Sequence, residues 1–215
     1  MKDFMKRFAS LNLGLFLFSL GIVLTMNANM GFAPWDVFHK GMANIFNMSI
    51  GVASILLGLV ICVLVALAGE KLGLGTLLNM VIIGALLDLI LYLDIIPVMQ
   101  GFISGTAMMI AGLFTISLGS FFYMGSGFGA GPRDSLMVVL ERKTGLSVGV
   151  CRAGLESADV LFGWMMGGPV GLGTVMAAFG IGFCIQVTFS ALKFRTTDVK
   201  HETLAETVKS IGRRQ

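Results

Sequence analysis

An all-α integral-membrane fold is predicted, with about six transmembrane helices as two inverted three-span repeats, each carrying a short re-entrant or interfacial helix. Three observations predict it. The first is composition: 56% of the 215 residues are hydrophobic, the mean hydropathy is +0.90 and only 13% are charged, against about 25% in soluble domains. A soluble fold of this length cannot enclose so much apolar surface. A bilayer takes roughly 20 apolar residues per crossing, so about six crossings and short loops fill the chain.

The second observation is an internal repeat. Pro34 precedes Pro132 by 98 positions (132 − 34 = 98), and the same shift carries Gly14 to Gly112, Gly21 to Gly119, Gly31 to Gly129, Asp36 to Asp134, Ser49 to Ser147 and Thr76 to Thr174. These residue types mark backbone geometry and polar sites, which apolar drift would not match. An odd number of spans per copy inverts one copy relative to the other, an architecture typical of secondary transporters. The third observation is charge. With the N-terminus in the cytoplasm, Lys71, Arg133, Arg142, Lys143 and the tail cations Lys193, Arg195, Lys200, Lys209, Arg213 and Arg214 fall inside; loops 94–102 and 167–172 hold no cation, and only Lys40 falls outside. That is the positive-inside asymmetry.

Taken in order, the first span is 9–28. Lys2, Lys6 and Arg7 before it resemble the start of a signal peptide. The apolar run within it matches residues 109–124, deep in the chain, so it is expected to be retained as a span. The segment 35–46 follows Pro34. At 1.5 Å per residue it rises about 18 Å, against a core of roughly 30 Å, so it lies on the surface or re-enters as a half-helix. Spans 50–68 and 75–93 complete repeat 1 (about 10–93). Span 103–124, the short segment 133–143 and spans 147–166 and 173–192 make repeat 2 (about 103–192). Residues 1–192 are thus one transmembrane domain, and 193–215 a polar cytoplasmic tail. In the tail, Leu204, Val208 and Ile211 are spaced for a short amphipathic helix on the inner leaflet, a solvated end being the alternative.

Glycines one helical turn apart (Gly69 and Gly73, Gly101 and Gly105, Gly163 and Gly167), with Gly180 and Gly182, are expected to mark packing seams. Gly-rich faces also offer a surface to a second copy or another membrane protein. Cys62, Cys151 and Cys184 form no Cys-x-x-Cys pair, so neither disulfide framework nor zinc site is expected.

The most function-like element occurs twice, as Asn27–Asp36 and Gly125–Asp134. Each span ends in small residues and restarts as a helix at Pro, which suits the first helical position. Asp36 and Asp134 lie in the first turn, where a carboxylate stabilises the helix start. A functional reading stands beside that one. Irregular backbone at membrane depth survives where protein or a water-filled cavity supplies hydrogen bonds, and two such breaks from opposite faces would converge on a shared site. Asn29, Trp35, Asp36, Arg133 and Asp134 are the candidate substrate-binding residues. The copies differ at Trp35 against Arg133, the divergence an asymmetric site requires; inward pressure on positive charge also accounts for Arg133.

Arg152, Glu156 and Asp159 stand at i, i+4 and i+7, on one face of the fifth span. Arg152 and Glu156 can pair, leaving Asp159 without a partner in its own helix. Ionisable groups in the bilayer line solute or proton pathways, so these three are the proton-coupling candidates; an inter-helix salt bridge is the structural alternative. Asp88, facing Gln186 in the repeat register, is a polar residue near a span end.

No His-Glu-x-x-His, phosphate-cradling loop or Gly-x-Ser-x-Gly elbow is present. No enzyme activity, cofactor, metal or nucleic-acid partner is expected.

The run Gly31-Phe32-Ala33-Pro34-Trp35-Asp36, then Ser49-Ile50-Gly51 and Gly73-Leu74-Gly75-Thr76, resembles the bacterial YczE/YyaS/YitT-type membrane proteins. The second half, with Gly129-Ala130-Gly131-Pro132-Arg133-Asp134 and Gly171-Leu172-Gly173-Thr174, is similar to the same pattern. The likeness covers roughly residues 10–192 and implies a multi-pass protein of the bacterial inner membrane. The expected function is a secondary transporter of a small polar or charged solute, with carboxylates available for proton coupling. The alternative is a non-transporting scaffold or accessory subunit, in which the elbows are packed solid. The expected partners are the lipid bilayer and a small solute.

Overall fold

The computed structural model describes residues 2–196, 199, 202–204 and 206. Among them the chain is all helical: α1 (Lys2–Asn27), α2 (Pro34–Phe46), α3 (Ile50–Leu67), α4 (Leu74–Leu93), α5 (Phe102–Gly125), α6 (Pro132–Thr144), α7 (Val148–Met165) and α8 (Leu172–Ala191). Five of these, α1, α3, α4, α5 and α8, are long and apolar enough to cross a bilayer. The α7 helix has 18 residues, and Arg152, Glu156 and Asp159 lower its apolarity. The 13-residue α2 and α6 are about 20 Å long and cannot cross alone.

Local chemistry sets the boundaries. Pro34 and Pro132 open α2 and α6, where a missing N–H costs nothing. Asn47 (φ 50°) and Gly145 (φ 71°) close them in the left-handed conformation that ends many helices. Ser49 Oγ accepts from Val52 N at 3.2 Å and caps α3. The caps of α4 and α8 repeat each other: Thr76 Oγ1 accepts from Gly73 N (3.2 Å) and Thr174 Oγ1 from Gly171 N (3.1 Å). The α1 helix begins seven residues before its predicted span (9 − 2 = 7), because Phe4 and Phe8 keep it packed inside the protein, Phe4 lying edge-on to Phe128.

The two halves meet along α1 and α5, which run antiparallel. Gly14 lies against the backbone of Gly119 and Tyr123, and Gly21 against that of Gly112 and Ile116, so one number rises as the other falls. Each glycine meets the repeat image of the other: Gly14 meets the image of Gly21, and Gly21 the image of Gly14. Around this seam Leu11, Leu15, Ile22, Val23, Leu87 and Ile116 form the main core. The elbows follow the same exchange. Gly173 N donates to Met30 O (2.6 Å), and Gly75 N donates to Phe128 O (2.7 Å), so each elbow is held by the last span of the other half. Backbone groups freed by the break are thereby satisfied inside the protein, as the bilayer demands.

The expected glycine seams are corrected in part. Gly73, Gly105 and Gly163 do press against backbone of other elements, but Gly69 (φ 87°) has no neighbour within 4 Å. Gly69 and Gly167 (φ 82°) serve left-handed turns, and Gly182 faces open space. Spacing by one turn does not distinguish a seam from a turn; the seam runs through Gly14, Gly21, Gly112 and Gly119.

Large apolar side chains are exposed along α3 (Val60, Val63, Leu67), α7 (Leu161, Phe162, Trp164) and α8 (Phe179, Phe183). Lipid tails solvate such faces without cost. In the tail, Glu202 N donates to Gly127 O (2.8 Å), Leu204 N donates to Leu72 O (3.0 Å), and Glu202 pairs with Arg7 at 2.6 Å. Val208, Ile211, Lys200, Lys209, Arg213 and Arg214 lie outside the described residues.

Candidate functional site

The starts of α2 and α6 face a common cavity of about 460 Å³. Ala33, Pro34, Trp35 and Asp36 line it from one half, and Gly131, Pro132, Arg133 and Asp134 from the other. Its walls are mostly apolar, with Phe18, Ile22, Leu57, Ile83 and Ile116 among them; it extends toward Phe189 and Thr196, past the middle of α8.

In its lining the divergent pair of the repeat is in contact. The Arg133 guanidinium carbon lies 4.5 Å from the centre of the Trp35 ring, a cation–π arrangement that contributes about 0.5–2 kcal/mol. Arg133 makes no ion pair within 4.0 Å among the described residues. Its Nη2 is 3.5 Å from His39 Nε2, and His39 Nδ1 is 3.3 Å from Asp36 Oδ1. With Nε2 accepting from a guanidinium, Nδ1 carries the hydrogen and donates to Asp36, which makes His39 the neutral link of an Arg–His–Asp chain. His39 and Asp36 are 2% and 3% exposed, so these two are held away from water, while Arg133 is partly exposed.

The second polar group comes from α7. Arg152 Nε donates to Glu156 Oε1 at 2.8 Å, one turn apart, and both line the cavity. Asp159 is not among the lining residues; its Oδ2 is buried and has no hydrogen-bond partner among the described residues. Asp36, Asp134, Glu156 and Asp159 all lie within electrostatic reach of Arg133.

Of the predicted substrate-binding residues, Trp35, Asp36, Arg133 and Asp134 are brought together here. Asn29 is not. It sits at φ 56° and its amide donates to Met99 O (3.1 Å). It lines a separate cavity of about 430 Å³ with Met30, Gly101 and Pro169. Asp88 is a helix cap: Ser49 Oγ and Gly51 N (2.8 Å) both donate to its carboxylate, tying α4 to the start of α3.

His39 and Tyr123 escaped the reading of the sequence. His39 stands three residues after Asp36 on the same helix, a spacing that does carry a signal. Tyr123 lies within an aromatic run at the end of α5, and nothing local sets it apart.

Residues 5–190 match the model described as "Family of unknown function (DUF6198)". The chain is 35% identical over 199 residues to the "Uncharacterized membrane protein YczE" of Bacillus subtilis (strain 168), covering 87% of this chain and 91% of that protein. It is 34% identical over 179 residues to an "Uncharacterized protein" of Haemophilus influenzae (strain ATCC 51907 / DSM 11121 / KW20 / Rd), covering 81% of each. The "Uncharacterized protein YyaS" of Bacillus subtilis (strain 168) is 24% identical over 178 residues, covering 81% of this chain and 88% of that one. No solved structure matches the chain. The matched region takes in both elbows and all eight helices save the ends of α1 and α8, and this multi-pass membrane protein belongs to the DUF6198 family.

Proposed function

We propose that the protein is a secondary transporter of a small polar or charged solute, built from two inverted repeats of three spans, in the bacterial inner membrane with both termini cytoplasmic. The observation that carries this reading is the cavity at which the two elbow helices begin, with Trp35 and its own repeat counterpart Arg133 in contact across it. A residue touching its own counterpart lies on the axis relating the two copies. The exchanged glycine contacts of α1 and α5 are the self-complementary pattern of a two-fold axis, and their antiparallel course supports inversion. In this reading α7 is the remaining crossing, with Arg152 and Glu156 facing the cavity rather than lipid.

A carrier needs a polar site closed from one side at a time. The main cavity and the cavity at Asn29 are separated by elbow 1, where Gly31 is pressed against the backbone of Gly171. Rocking of one half against the other about the α1–α5 seam would open one cavity as it closed the other. Asp36, Arg133 and Asp134 serve as solute contacts, and Glu156 or Asp159 takes up the coupling proton. A non-transporting scaffold is disfavoured by the cavity reaching Asp36 and Asp134, since a scaffold gains nothing from charged groups around empty space.

The test is reconstitution in liposomes loaded with a pH-sensitive dye and challenged with a metabolite panel under imposed gradients. Solute-dependent proton or solute flux, lost in Arg133→Gln, is expected. Absence of flux for every solute and gradient would sink the reading.

A further inference from the structure

We infer that the cavity takes the ammonium group of a small organic amine, seated between Tyr123, Asn79 and Asp134 beside Gly131. The inference rests on reading this cavity as the solute site. Its first support is an orphaned group: Tyr123 lines the cavity and is 3% exposed, yet its Oη has no hydrogen-bond partner among the described residues. A buried hydroxyl left unmade is costly and marks a site where something else bonds to it. Its second support is a cradle. An alanine Cβ built on Gly131 would lie 3.3 Å from Asp134 Oδ2, 3.4 Å from Tyr123 Oη and 3.8 Å from Asn79 Oδ1. Oxygens from α4, α5 and α6 thus gather beside Gly131, where the lack of a side chain leaves them exposed to one another.

The chemistry of that point is specific. Three oxygens with one negative charge match a monovalent donor of three N–H bonds, which is what a primary ammonium presents. A divalent metal takes more carboxylates than this, and no cluster of three or more metal-ligating side chains occurs among the described residues. Sodium would want further oxygens, where the surrounding wall offers Met80, Ile83 and Ile116. Those apolar neighbours suit the hydrocarbon body of an amine, and about 460 Å³ leaves room for it.

The repeat supplies a built-in comparison. The counterparts of Tyr123, Asn79 and Gly131 are Thr25, Ala177 and Ala33. Thr25 spends its hydroxyl on Ile22 O (2.8 Å), and Ala33 carries the methyl that Gly131 lacks. The cradle exists in one half only, so the solute has one orientation.

The experiment measures binding to the full-length protein in detergent, in N-methylglucamine buffer of constant ionic strength. The probes are phenethylammonium chloride, its anionic analogue 3-phenylpropionate, and sodium chloride. Saturable thermal stabilisation and calorimetric binding are expected with phenethylammonium alone. Tyr123→Phe, which removes only the unbonded hydroxyl, is expected to weaken Kd about tenfold. Gly131→Ala, whose methyl meets no atom closer than 3.3 Å, is expected to fold normally and weaken it at least as much. Asp134→Asn is expected to abolish binding. The inference is overturned by no binding of phenethylammonium, by binding of 3-phenylpropionate or sodium in its place, or by ammonium binding unchanged in Tyr123→Phe and Gly131→Ala. Ammonium binding with these variant effects but no flux in liposomes would overturn the carrier reading and leave the amine site standing; flux of a non-amine solute without ammonium binding would do the reverse.

Discussion

Replacing Gly119 by alanine tests the seam on which the whole arrangement turns. The added Cβ would lie 2.6 Å from Phe18 N and 2.8 Å from Gly14 O, both backbone atoms of α1 that cannot rotate away. Comfortable contact begins near 3.5 Å, so α1 and α5 must part by about 0.7–0.9 Å at this crossing. Overpacking of this kind costs about 1–3 kcal/mol, while alanine in place of glycine returns at most about 1 kcal/mol of helix propensity. A net loss of about 1–2 kcal/mol is expected, a factor of 5–30 in the folding equilibrium. Gly21→Ala, whose Cβ meets Ile116 N at 2.7 Å and Gly112 O at 2.8 Å, should cost the same, because Gly21 and Gly119 are repeat counterparts. Gly182→Ala meets no atom within 4 Å and should stabilise α8 slightly. Reversible unfolding in mixed micelles, followed by circular dichroism, compares the three. Equal effects at Gly119 and Gly182, or a stabilised Gly119→Ala, would refute the close antiparallel crossing.

Asp88→Ala removes the acceptor for Ser49 Oγ and Gly51 N and should lower stability by about 1–3 kcal/mol, since hydrogen bonds to a charged group are among the stronger ones; the same unfolding assay reads it. Arg133→Lys keeps the charge but not the planar stack on Trp35, and should reduce solute-driven flux several-fold with little change in protein yield. Glu156→Gln keeps an oxygen to accept from Arg152 Nε at the 2.8 Å position but removes the charge and the titratable proton; proton-coupled flux should fall while binding of the solute measured at equilibrium is retained. Single cysteines at Lys40 and Lys193, read with an impermeant maleimide on intact spheroplasts, should label at Lys40 only, as the predicted sidedness requires.

Much of the helical plan was legible because its signals are local. Pro34 and Pro132 mark the two restarts, Ser49 marks a cap, and the apolar runs mark the spans to within a few residues except at the start of α1. The offset of 98 was legible as well, since identical backbone demands at equivalent places select the same glycine, proline or threonine. The candidate site was legible in part. Trp35, Asp36, Arg133 and Asp134 stood out by their place in the repeat, and Arg152 and Glu156 by their charge. Asn29 shares the elbow yet bonds to Met99 O on its far side, a direction no spacing encodes. Gly69 and Gly105 look alike in sequence, but only the second lies against another backbone.

What the order of residues determined by itself was the set of helices, their breaks and the duplication, because hydropathy, proline geometry and capping act within one turn. Tertiary structure alone decided that Trp35 lies under Arg133, that His39 bridges Arg133 and Asp36, and that Tyr123, Asn79 and Asp134 gather around Gly131. Those residues come from α2, α4, α5 and α6, and their meeting depends on how tightly α1 and α5 cross, a distance set by the absence of four glycine side chains rather than by any pattern along the chain.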